Sequence, residues 1–119
     1  MSLILLIRFC FYSALLSISL MAVLPQQHMV ITTGWDKANH ALAFFVLLGL
    51  LDYAYPAANL WIKKIIPLTI YGLLMELVQS QIPGRYVSSL DLLSDVVGLA
   101  AYILIRPVLI NKKPFIDAD

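Results

Sequence analysis

An all-α membrane bundle of four transmembrane helices is the fold this sequence predicts, and three observations predict it. Of its 119 residues 61% are hydrophobic and only 13% charged, with a mean hydropathy of +0.88, whereas a soluble domain usually carries about 25% charged residues. Fifteen Asp, Glu, Lys and Arg side chains are too few to clothe the surface of a soluble domain this small. Four apolar stretches follow one another with only short polar or helix-breaking segments between them, and no long linker or low-complexity run interrupts residues 1–119, which read as one membrane domain.

The helices are expected at about 3–24, 37–55, 62–81 and 88–110. Pro25-Gln26-Gln27 ends the first, Tyr55-Pro56 the second and Ile82-Pro83-Gly84 the third, while Arg106-Pro107 and Asn111-Lys112-Lys113 close the fourth. Pro67 falls in the early turns of the third helix, where a missing amide donor does least harm. The first stretch, Leu3 to Leu24, runs for 22 residues, enough to cross roughly 30 Å of hydrocarbon. Ala22-Val23-Leu24 before Pro25 lacks the small residue expected just before a cleavage site, so this stretch reads as a retained helix rather than a removed signal. His40, Asp52 and Glu76 weaken the second and third stretches by hydropathy, which leaves interfacial or re-entrant placement open for these two.

With four spans both termini share one side. Arg8, Lys63, Lys64, Arg106, Lys112 and Lys113 then lie on that side, against Lys37 and Arg85 opposite, a bias that predicts cytoplasmic termini. A formal charge of +1 and scattered basic residues argue against nucleic acid as a partner. Cys10 is the only cysteine, which excludes an internal disulfide and a Cys-based zinc site; it reads as an apolar helix residue.

On the side away from the termini three segments gather ionisable groups. Asp36-Lys37-Ala38-Asn39-His40 opens the second helix, Glu76-Leu77-Val78-Gln79 closes the third, and Asp91-Leu92-Leu93-Ser94-Asp95 opens the fourth. Asp36 with His40, and Asp91 with Asp95, are i,i+4 pairs, so each pair lies on one helix face and reaches one turn inward. Inward along the same stripes come Ala43, Gly72 and Gly98, small residues that let membrane helices approach closely. Asp36, Glu76, Asp91 and Asp95 then face only Lys37 and Arg85 with His40 neutral, an excess of two negative charges that predicts a bound cation, a protonated carboxylate or a cationic ligand. In the competing reading Asp36, Lys37, Arg85 and Asp91 are solvated in the headgroup region, and His40 and Glu76 make interhelical hydrogen bonds. Trp35 and Tyr86 near this side, and Tyr53, Tyr55 and Trp61 near the other, fit interfacial aromatic belts.

The series Asp36-Lys37-x-x-His40 followed by Phe44-Phe45, Glu76-x-x-Gln79 with Pro83-Gly84-Arg85, and Asp91-x-x-x-Asp95-x-x-Gly98 resembles the VanZ-like family of small bacterial membrane proteins, from about Trp35 to Ile105. No single motif is specific; their order and spacing together carry the resemblance. It implies a helical membrane protein of a type whose namesake is associated with reduced susceptibility to teicoplanin, and it supplies no biochemical mechanism. The family pattern transfers to Asp36, Lys37, His40, Glu76, Gln79, Arg85, Asp91 and Gly98. At position 95 the family commonly has asparagine, so Asp95 adds a negative charge here.

Three functions are expected to compete. The first is a site that binds, and in one version modifies, an envelope lipid or lipid-linked precursor: His40, Glu76 and Asp91 as acid–base groups, Asp36, Lys37, Gln79, Arg85 and Asp95 as binding groups, with a divalent cation as a candidate cofactor. The second is a non-catalytic scaffold or partner-binding module in which the polar groups fix helix register. The third is a proton or cation pathway, for which the inner half offers only Asp52. No nucleophile motif, phosphate-cradling glycine loop or nucleotide fingerprint promotes a particular enzyme class.

Overall fold

The computed structural model describes residues 2–23, 33–82 and 89–110, with side chains at 2–23, 38–82 and 91–109, and within these residues the chain is helical with no strand. Helix α1 spans Leu3–Ala22, α2 Thr33–Ala54, α3 Ile66–Gln79 and α4 Ser89–Ile110; a π-helical turn, Trp61–Ile65, runs directly into α3. α2 begins four residues earlier than the sequence suggests, and α3 ends two residues earlier.

Local chemistry sets these bounds. The Ser2 hydroxyl accepts the Leu5 N–H at 3.2 Å and caps α1. α2 stops at Ala54 because Pro56 has no N–H to continue the ladder. Asn59 then starts the next helix, its side-chain oxygen accepting the Ile62 N–H at 2.8 Å. Ahead of Pro67 the winding loosens: the Ile66 N–H reaches the Trp61 carbonyl, five residues back. The π turn and α3 together form one uninterrupted rod of about 28 Å at 1.5 Å per residue.

Side-chain pairings fix the topology. At one end, Arg8 near the start of α1 donates from Nε to the Ala54 carbonyl at the end of α2 (2.9 Å), and Lys64 just before α3 meets Asp52 near the end of α2. At the other end His40 of α2 meets Asp95 of α4, and Gln79 closing α3 donates to the Ala22 carbonyl closing α1 at 3.1 Å. The helices therefore alternate up, down, up, down, with α2 and α4 running parallel.

α2 is the central element. Its Phe44, Leu47, Leu48 and Leu51 form the core with Phe11, Ile65, Leu68, Leu99 and Tyr102. The α2–α4 seam is the most extensive, and glycines make it close. A Cβ on Gly98 would run into the Ala41 carbonyl, 2.9 Å from its carbon, and one on Gly49 would stand 3.3 Å from the Tyr102 ring. Gly98 thus meets Ala41, one turn from the His40–Asp95 pair, while Ala43, the small residue expected on that stripe, is only partly buried against the core.

The outside is apolar. Phe9, Leu16 and Met21 on α1, Leu42 on α2, Leu77 on α3 and Leu104 on α4 are all exposed, Leu104 to 80%. Among the described residues two helices, α1 and residues 91–109 of α4, are long and apolar enough to cross a membrane.

Candidate functional site

The polar residues divide between the two ends of the bundle. At the end where α2 and α4 begin, His40 Nδ1 and Asp95 Oδ1 are hydrogen-bonded at 2.9 Å, and with Asp95 ionised the Nδ1–H is the donor. Two local facts bring these groups together: His40 lies just ahead of the Gly98–Ala41 approach on α2, and Asp95 lies one turn before Gly98 on α4. Helix α3 closes the third side, since a Cβ on Gly72 would stand 3.0 Å from Asp95 Oδ2 and 3.2 Å from Phe44 Cζ. Glycine at 72 makes room for a carboxylate wedged between helices.

Asp91 and Asp95 are both 5% exposed, one helical turn apart on the buried face of α4, where their like charges repel. Glu76 is one turn beyond Gly72 on the same face of α3, which brings it level with Asp91; it is half-buried, and its carboxylate makes no hydrogen bond or ion pair among the described residues. Gln79 is 5% exposed and is spent on the Ala22 carbonyl, so it ties α3 to α1. The side chains of Asp36 and Lys37, and all of Arg85 and Tyr86, lie outside the described residues. Among the described residues no three His, Cys, Asp or Glu side chains are grouped to hold a metal ion.

Chemically, the His40–Asp95 pair is an oriented imidazole. A carboxylate that accepts from Nδ1 fixes the neutral ring as the tautomer with its basic nitrogen at Nε2, the arrangement that suits a general base or an acceptor for a polar ligand group. Asp95, read from sequence as a binding group, is the residue that holds His40; Asp91 and Glu76 supply further acidic groups within a turn.

The opposite end holds a network that sequence reasoning missed. Asp52 and Lys64 are both fully buried and paired at 2.6 Å through Asp52 Oδ1. Asp52 Oδ2 accepts from the Tyr102 hydroxyl at 2.7 Å and from Arg106 Nε at 2.8 Å, and Arg106 Nη2 lies 3.4 Å from Oδ1. Lys64 and Arg106 are thus not solvated topology markers but partners of a buried carboxylate. A signal existed: Asp91, Asp95, Gly98, Tyr102 and Arg106 recur every three or four residues, one unbroken stripe along α4. Nearby, the Arg8 guanidinium stacks 4.2 Å from the Tyr55 ring centroid while donating to Ala54, a last-turn carbonyl without a helical donor.

Between the two polar ends, the α2–α4 seam is filled by Phe44, Leu47, Leu48 and Leu99, each no more than 4% exposed. Compared with protein-family models, curated proteins and solved structures, the chain has no significant match in any of the three.

Proposed function

We propose that this chain is a four-span inner-membrane protein of the VanZ-like type, whose polar site at the His40 end faces the outer leaflet and binds an envelope lipid or lipid-linked precursor. The four-span reading is supported by the alternating helix directions and by large apolar side chains exposed on every helix, a surface that lipid conceals and water does not. Arg8 and the exposed Lys63 at the other end support cytoplasmic termini.

The observation that carries the site is the His40–Asp95 hydrogen bond across α2 and α4. Charged side chains cost about 2.5–3.5 kcal/mol each at the centre of a membrane helix on insertion scales, so ionisable groups within a span are kept chiefly as paired groups or as ligand or proton sites. In this reading His40 is the acid–base group, Asp95 orients it, Asp91 and Glu76 hold the polar or cationic part of the ligand, and Lys37 and Arg85 meet phosphate oxygens. The link to glycopeptide susceptibility enters through the same family resemblance. Alanine at His40, Glu76, Arg85 and Asp91, one at a time and with expression monitored, tests it through envelope integrity and antibiotic susceptibility. Loss of phenotype with normal protein level is expected for His40 and Asp91; wild-type behaviour in all four ends the proposal.

A scaffold is the second reading, favoured by the close Gly98–Ala41 contact beside the pair, which makes His40–Asp95 a register lock. There the alanine variants lose the folded protein in detergent instead of a function of it. An ion or proton pathway is disfavoured by the apolar layer between the two polar ends.

A further inference from the structure

Among the described residues the charges at the Asp52 end do not balance: Lys63, Lys64 and Arg106 gather there against one carboxylate, Asp52. Lys64 is fully buried, and a buried ammonium requires its counter-charge at contact distance, so Asp52 is spent on it. Arg106 shares that carboxylate but is 23% exposed, and its charge is the one in excess.

The guanidinium is also only half used. It carries five N–H donors in a rigid fork. Nε and one Nη2 hydrogen point to Asp52, and the remaining three donors, both of those on Nη1 included, meet no acceptor among the described residues. Two bonds to Asp52 hold the fork, with Tyr102 bracing the same Oδ2, so the outward edge is oriented before any ligand arrives. Arg106 lies three residues from the end of the membrane-length run 91–109, which in the membrane reading puts it near the level of lipid phosphates, and exposed Ile105 and Val108 beside it suit acyl chains.

We propose that Arg106, fixed by Asp52 and Tyr102, anchors a phosphate site at this end of the α2–α4 seam, which takes the headgroup of an anionic phospholipid. A planar fork with free parallel donors matches phosphate oxygens bidentately, which a flexible lysine does not. The proposal rests on the membrane reading above and is independent of the His40 site.

The test uses the full chain in a neutral detergent, with melting temperature read after adding phosphatidylglycerol, phosphatidylcholine or inorganic phosphate. Phosphatidylglycerol is expected to raise the melting temperature by a few degrees and phosphatidylcholine by less. Arg106→Gln is expected to abolish the difference between the two lipids, Arg106→Lys to reduce it, and Lys63→Gln, which removes an exposed charge from the adjacent π turn, to leave it intact. Equal losses in Arg106→Gln and Lys63→Gln overturn the site in favour of diffuse charge attraction, and stabilisation by inorganic phosphate equal to that by phosphatidylglycerol overturns the lipid as the source. Should Arg106→Gln fail to fold, native mass spectrometry of the wild type decides: preferential retention of phosphatidylglycerol supports the site and equal retention overturns it. A chain that remains in solution without detergent overturns the membrane reading itself, whereas a detergent-dependent chain blind to headgroup overturns only the site.

Discussion

Gly98 of α4 lies against the backbone of Ala41 of α2, with no room for a side-chain carbon between them. The carbonyl of Ala41 is rigid helix backbone, so it has no rotamer by which to yield. Gly98→Ala is therefore expected to destabilise the protein by about 1–3 kcal/mol or more, through separation of α2 from α4. Gly49→Ala meets only the edge of the Tyr102 ring at 3.3 Å and should cost less. Melting curves in detergent check both, and a Gly98→Ala variant as stable as wild type would contradict the close seam.

Asp52 holds two cations, so its loss and the loss of one cation differ. Asp52→Ala leaves Lys64 buried without a counter-charge and is expected to cost about 3–5 kcal/mol. Lys64→Met leaves Asp52 with Arg106 and Tyr102 and should be milder. Thermal melts of the two variants side by side decide the order; a reversal would mean that Lys64 is not the residue that depends on the pair.

Tyr102→Phe removes one neutral donor from the same carboxylate while keeping the ring against Phe45, whose centroid is 5.8 Å away. A loss of about 1–3 kcal/mol is expected, the cost of a buried acceptor left with fewer donors. Chemical denaturation in mixed micelles measures it, and no loss at all would remove Tyr102 from the network.

The Nδ1–H to Asp95 bond predicts a specific imidazole tautomer. In nitrogen-15 NMR of labelled protein at a pH where the ring is neutral, the His40 signal should report Nδ1 protonated and Nε2 bare. Asp95→Asn, which keeps an oxygen acceptor, should retain that pattern, and Asp95→Leu should lose it. A wild-type ring protonated at Nε2 would rule out the orienting role of Asp95.

Cys10 is exposed on α1, between exposed Phe9 and Tyr12. If α1 crosses a bilayer, a charged maleimide should leave Cys10 unlabelled in intact membranes and label it after denaturation. Rapid labelling in membranes would take α1 out of the lipid.

Four helices, with ends within a few residues of those observed, were legible in the sequence because their causes are local. Pro56 stops α2, and the apolar runs between breakers are long enough to be helices whatever surrounds them. Gly72 and Gly98 were legible as close-packing positions for the same reason: nothing else on their stripe is so small. The grouping of His40 with Asp95 followed from helix periodicity and alternating direction, although which acid would hold the imidazole did not.

Asp52, Lys64 and Arg106 were another matter. Each reads locally as an interfacial charge, and the pairing spans 12 residues in one direction and 54 in the other. What one segment of chain determines alone is whether it forms a helix and which of its faces is polar. Which faces meet is decided by packing among helices distant in sequence, where Gly98 permits the approach and a buried carboxylate must find its counter-charge or not be buried at all.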